Sequence, residues 1–197
     1  CTRILKRKRN KSPLTLEMRM QKSAELTYDL DHFCQDVRTS LSNSEPLQQR
    51  LEAVAKKLHV LLLNKDFVAA TFNEETPSGK DVLYHDPELN FYVQAHTQKA
   101  GKGGLPHSHG ESWAIYGNAM GYTEMTEWKR VNPETDDHAV LTATERYVLH
   151  VGDTRTYGPG VIHSTAHPEK AYVVRVAGTD LDAIPRFKFR KSRDQIV

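Results

Sequence analysis

The chain has 197 residues, 38% hydrophobic and 26% charged, which suits one core of ordinary domain size and excludes a disordered chain. Two cysteines without CxxC spacing exclude a disulfide scaffold and a cysteine-type zinc finger. The formal net charge of +2 conceals basic ends, because residues 1–11 carry six basic groups and no acid, residues 186–197 carry a net +4, and the body between them is left at −8. A positive field confined to the ends reads as solvated tails, with a phosphate or acidic partner the lesser alternative, so neither a nucleic-acid surface nor a membrane partner is expected. No apolar run approaches the roughly 20 residues of a membrane helix. Residues 1–11 lack the apolar core of a secretory signal, which predicts a cytoplasmic protein; a chain opening on Cys1 leaves a processed or truncated start open.

In chain order, a basic tail (1–11) precedes a helical segment (12–65), a strand-rich body (66–185) and a second basic tail (186–197). Ser12-Pro13 offers a helix start. From Ala24 to Leu41 the residues Leu26, Leu30, Phe33, Cys34, Val37 and Leu41 recur every three or four positions, one face of an amphipathic helix. Cys34 on that stripe reads as a small core residue. Ser42–Pro46 breaks the pattern, and Leu47, Leu51, Val54, Ala55, Leu58, Leu61 and Leu62 resume it. Beyond Asn64, glycine and proline punctuate short apolar runs. Strands are predicted at Asp81–His85, Leu89–His96, Ser112–Gly117, Gly121–Val131, Ala139–Leu141, Arg146–His150, Val161–Thr165 and Ala171–Ala177. Many short strands between turn signals suggest a sandwich or barrel under a helical layer.

Six of the ten histidines fall between His107 and His167. His107 and His109 are two residues apart, so in an extended segment they share a face. Neutral imidazole is the commonest metal ligand, and two at this spacing can share one ion. A lone HxH pair equally describes two polar residues on a solvated strand. His163 follows the turn Gly158-Pro159-Gly160 and would bring a third imidazole from a later strand.

Read together, Gly101-x5-His107-x-His109, Gly121, and Gly152-Asp153-x5-Pro159-Gly160-x2-His163 resemble the two signature blocks of the cupin superfamily. The match spans roughly residues 81–178. It implies a mainly β fold, a single cupin jelly-roll barrel beneath an N-terminal helical layer, with a metal held by His107, His109 and His163. The family's glutamate would fall at 113 or 114, where this chain has Trp113 and Ala114. Glu111 shares the parity of the two histidines, so it either points inward as a substitute ligand or caps the strand facing solvent. His167 stands where an asparagine often follows the third ligand, either as an additional or supporting ligand or as an exposed turn residue.

A three-histidine site without carboxylate is similar to the cysteine dioxygenase branch of thiol dioxygenases. That resemblance implies Fe(II), with Zn, Mn or Ni as alternatives, and a dioxygenase acting on a small molecule and O2. A Lewis-acid isomerase or lyase, or a non-catalytic binding module, are the competing readings. The branch's Ser-His-Tyr relay would lie on Glu169–Ala177, where this chain carries Val173, Arg175 and Ala177. Its substrate arginine is missing near 80–83, which reads Lys80-Asp81-Val82-Leu83, so the resemblance does not extend to cysteine as the substrate. Arg175, if it points into the barrel, needs an anion: a substrate carboxylate or an internal acid. Trp113, Tyr116 and Tyr157 either wall the pocket or are ordinary core aromatics. An incompletely closed barrel leaves edge strands whose pairing would make a homodimer, though nothing in the sequence demands one.

Overall fold

The computed structural model describes residues 28–185 and 188–190. The basic tail 1–11, the Ser12-Pro13 helix start and residues 191–197 lie outside the described residues. Among the described residues three helices come first: α1 (Leu30–Ser42), α2 (Leu47–Leu63) and α3 (Lys65–Thr71). The first carries the apolar stripe from Leu30 to Leu41, while Ala24 and Leu26 lie outside the described residues. Asp29 adopts extended backbone and its carboxylate accepts the amide of His32, a cap that fixes the start at Leu30. Asn64 closes α2 and caps α3 in turn, accepting from the amides of Asp66 and Phe67. Sequence periodicity misses α3 because a seven-residue helix with only Phe67 buried carries almost no pattern.

Nine strands follow: β1 (Gly79–His85), β2 (Tyr92–Gln98), β3 (Lys102–Gly103), β4 (Ala114–Met120), β5 (Thr123–Arg130), β6 (Leu141–Leu149), β7 (Thr154–Tyr157), β8 (Ile162–His167) and β9 (Ala171–Ala177). They form two antiparallel sheets, ordered β1-β2-β9-β4-β7 and β3-β8-β5-β6. The predicted strands at Ala139–Leu141 and Arg146–His150 are one strand, β6, held along its length by β5. The predicted turn Lys99–Gly104 contains the short β3, paired with the end of β8. The strand expected from Leu89 starts only at Tyr92, because Asp86 accepts the amides of Glu88 and Leu89 and folds that stretch into a loop.

The layers are helix, sheet, sheet, the jelly roll with an N-terminal helical layer. One core lies between the helices and the outer face of the five-stranded sheet, where Phe33, Val37, Leu51, Val54, Leu58 and Leu61 meet Val93, Ile115, Val174 and Val176. The approach is close: a Cβ on Gly117 would meet Leu62 and Leu58 at 2.6 and 2.8 Å, so β4 accepts no side chain there. The second core fills the barrel with Ala114, Tyr116, Met125, Leu149, Tyr157, Val173, Ala177 and Leu181. Covered on both faces, β9 is buried at every position and reads as a continuous apolar run broken only by Arg175. No described helix is long and apolar enough to cross a membrane.

Candidate metal centre and its cavity

Loop geometry, rather than a regular strand, delivers the first two histidines, and β8 delivers the third. His107 lies outside any strand but is bridged on both sides, by Lys188 and by His163 of β8, with which it exchanges two 2.9 Å hydrogen bonds. The chain then turns at Gly110, whose φ is +58° and whose carbonyl accepts the Gly160 amide at 2.9 Å. Non-glycine residues rarely adopt that φ, and a Cβ there would also meet the Pro185 carbonyl at 2.9 Å. The loop carrying His109 is thereby tied to the turn that leads into His163.

Ligand atoms of His107, His109 and His163 all lie within 4.8 Å of one another. The Nε2 atoms of His109 and His163 are 3.3 Å apart. Two imidazoles bound at about 2.1 Å to one ion place their nitrogens about 3.0–3.4 Å apart at octahedral to tetrahedral angles, so this separation fits a shared metal. The opposite ring atoms are tied down. Nδ1 of His107 donates to the Leu105 carbonyl at 2.9 Å, and Nδ1 of His163 to the Val161 carbonyl at 3.4 Å. A carbonyl only accepts, so each Nδ1 carries the proton and each Nε2 keeps its lone pair. His109 and His163 are 0% exposed, and burial pushes the His163 pKa down to about 3, favouring the neutral form a metal requires. The donor set therefore fits a divalent ion.

Beside the triad lies a cavity of about 310 Å³. His107 and Tyr116 line it; His109 and His163 are buried beside Tyr116, whose hydroxyl lies 3.4 Å from His109 Nε2. Arg175 projects into the barrel as its parity predicts and is 7% exposed. Its Nε and Nη2 donate to Gln94 Oε1 of β2 at 3.1 and 2.7 Å. Val173 lies on the cavity wall and Ala177 in the barrel core, so the Ser-His-Tyr relay positions face inward but carry no relay.

His167 is buried on the same wall, outside the triad. Its Nδ1 donates to Thr123 Oγ1 at 3.3 Å, and that hydroxyl donates to Asn118 Oδ1, so His167 is braced by the barrel wall. Two residues of this region carry no sequence signal, His96, which lines the cavity, and Gln94, which holds Arg175. Their alternation on β2 was readable, but the face they share becomes the cavity wall only through pairing with β9.

Three expectations need correction. Glu111 does not turn inward: the left-handed turn at Gly110 breaks the parity it shares with His107 and His109, and the side chain is exposed. Trp113 does not wall the pocket. It belongs to the core under the helices, with its indole filling the space above Gly178. Tyr157 does not line the cavity either; it is fully buried and stacks on the His163 ring at 4.0 Å and 17°. Its hydroxyl meets that of Tyr147 at 2.5 Å, and Tyr147 donates to Glu127, which also receives Arg155.

No family model and no curated protein matches this chain. Solved structures with similar architecture include a Klebsiella pneumoniae conserved protein with a double-stranded β-helix domain, at TM-score 0.41 and 13% identity over 63% of this chain and 89% of that one. A cupin-2 domain protein from Shewanella frigidimarina gives TM-score 0.39 and 11% identity over 55% and 85%. An oxalate oxidase in complex with glycolate gives 0.40 and 18% over 60% of this chain, which spans only 59% of that oxidase. The neighbours are cupin-domain proteins, and the likeness is remote.

Proposed function

We propose that this chain is a metal-dependent enzyme that adds O2 to a small organic substrate, with Fe(II) held by His107, His109 and His163. The observation that supports it is a convergent set of three imidazoles, two of them fully buried, with no carboxylate among them. His107, His109 and His163 would hold the ion with three neutral imidazoles, a donor set that would leave it able to take both a substrate and O2. Bound iron would supply the one-electron chemistry that O2 requires. The chain's own residues bind and orient: Arg175 anchors the substrate, and Tyr116 places a hydroxyl beside the triad where it can hold or release a proton. Tyr157, packed flat on His163, keeps water from that ring.

The replaced relay positions, Val173, Arg175 and Ala177, favour a second reading, in which a Lewis-acid metal serves an isomerase or lyase and Tyr116 moves the proton. One experiment separates the two. Protein loaded anaerobically with Fe(II) is challenged with a panel of small thiols and small organic acids in an oxygen electrode. Substrate-dependent O2 uptake that disappears in His109→Ala is expected. Turnover of a panel member without O2 uptake, or uptake unaffected by His109→Ala, overturns the dioxygenase reading.

A further inference from the structure

The cavity beside the triad has a one-sided charge. Among the described residues its lining brings together the cations Arg175 and Lys188 and three histidines, His96, His107 and His167, and includes no aspartate or glutamate. A buried guanidinium is normally offset by a carboxylate, since leaving it unpaired costs several kcal/mol. Here the partner is Gln94, a neutral amide that is itself buried. Its oxygen bridges Nε and Nη2, one edge of the guanidinium, which fixes the plane of the group without cancelling its charge. Both bonds use the Nε–Nη2 edge, and Arg175 also lines the cavity, so the Nη1 side is the edge an incoming acceptor would meet.

A second polar group is available on the same wall. In the antiparallel pairing of β2 and β9, Gln94 stands opposite Arg175 and His96 opposite Val173, so His96 and Arg175 are diagonal neighbours on the inner face. His96 lines the cavity, and its buried Nε2 has no hydrogen-bond partner among the described residues. A buried orphan of this kind is rare and calls for a ligand. Lys188, exposed and in a backbone bridge with His107, adds positive charge where the cavity opens.

We infer that the substrate of this site is a small organic acid whose carboxylate sits on the open edge of Arg175, with His96 Nε2 bonded to the carboxylate or to a polar atom next to it. The inference rests on the proposal that this cavity is the substrate site, and it narrows that proposal to a substrate class. Charge-assisted bonds to a guanidinium are the usual way a buried cation is satisfied. A volume of about 310 Å³ admits a metabolite-sized acid. Gln94 is the selective element: a carboxylate at that position would neutralise Arg175 internally and close the wall to anions.

The test uses chelator-treated protein, so its outcome does not depend on metal or on turnover. Propionate, lactate and malonate are titrated by calorimetry against propionamide, the neutral isostere of propionate. At least one acid is expected to bind at least tenfold more tightly than propionamide. Gln94→Glu, nearly isosteric with the native side chain, is expected to weaken that acid at least tenfold while binding Co(II) as the wild type does; His96→Asn is expected to weaken it several-fold. Equal binding of acids and amide, or unchanged acid binding in a folded, metal-competent Gln94→Glu protein, overturns the inference. Acid binding without any O2 uptake leaves this inference standing and defeats the dioxygenase reading, so the two fail separately.

Discussion

The two faces of β9 make opposite demands on seven consecutive residues. Tyr172, Val174 and Val176 face the helices and bury apolar surface; the Tyr172 hydroxyl reaches the Asn73 carbonyl at 2.9 Å and its ring meets Phe72 edge-on. Val173 and Arg175 face the cavity, and there the strand spends a buried charge. The alternation of side chains lets one strand anchor the fold with even positions and build the site with odd ones. Substitutions on the helix-facing side should therefore change stability without touching metal, and substitutions on the barrel side should do the reverse.

The largest effect should come from the barrel side. His109→Ala removes one of three donors, and metal affinity should fall by more than about 100-fold, since even supporting residues around a metal are worth about 10–100-fold. Elemental analysis after dialysis reads the loss, with the melting temperature of the chelated protein nearly unchanged. Retention of one equivalent of metal would remove His109 from the centre. The mirror experiment lies on the helical side. Leu58→Ala empties a fully buried position against Gly117 and should cost about 2–5 kcal/mol in denaturant unfolding, with metal content per folded molecule unchanged. Loss of metal in that variant would mean that the two faces are coupled.

Tyr157 belongs to both sides of this contrast, since it fills the barrel core and also packs on a proposed ligand. Tyr157→Ala should cost about 3–5 kcal/mol and weaken metal binding by about tenfold, because the His163 ring loses its stacking surface. Tyr157→Phe keeps the ring and loses only the hydroxyl contact with Tyr147, so stability should fall by about 1 kcal/mol and metal binding should hold. Equal loss of metal in both variants, followed by Co(II) titration, would transfer the role from the ring to the hydroxyl chain that leads to Glu127.

Much of this was legible in the sequence, and the misses have local causes. Ala171–Ala177 reads as a strand from its composition, and Arg175 stands out there because a charge interrupts residues that are apolar on both faces. Periodicity locates α2 to within a residue because its buried stripe spans the full helix. Glu111 illustrates the limit: parity arguments hold only while the backbone stays extended, and one glycine at φ +58° ends them. His96 and Gln94 were invisible for another reason. Nothing local marks a wall residue, since its importance comes from Arg175, 79 and 81 positions away, through strand pairing.

The smallest effect sharpens the contrast on the cavity side alone. Burial pushes the His96 pKa down to about 3, and the nearby positive charges of Arg175 and Lys80 push the same way, with His167 adding to them and only Asp182 opposing. In the unfolded chain the same imidazole titrates near its ordinary value of about 6.5. The unfolded state therefore binds the proton first as pH falls, so the contribution of His96 to stability is intact above pH 6.5 and is lost progressively between 6.5 and about 3. Chelated wild-type protein should lose melting temperature over that window, alongside a background from its other titrating groups. In His96→Asn the background remains and the His96 share is gone, so the decline should be shallower. The difference between the two curves isolates one cavity-wall imidazole, and parallel curves would show that His96 takes up its proton as easily in the folded protein as in the unfolded chain.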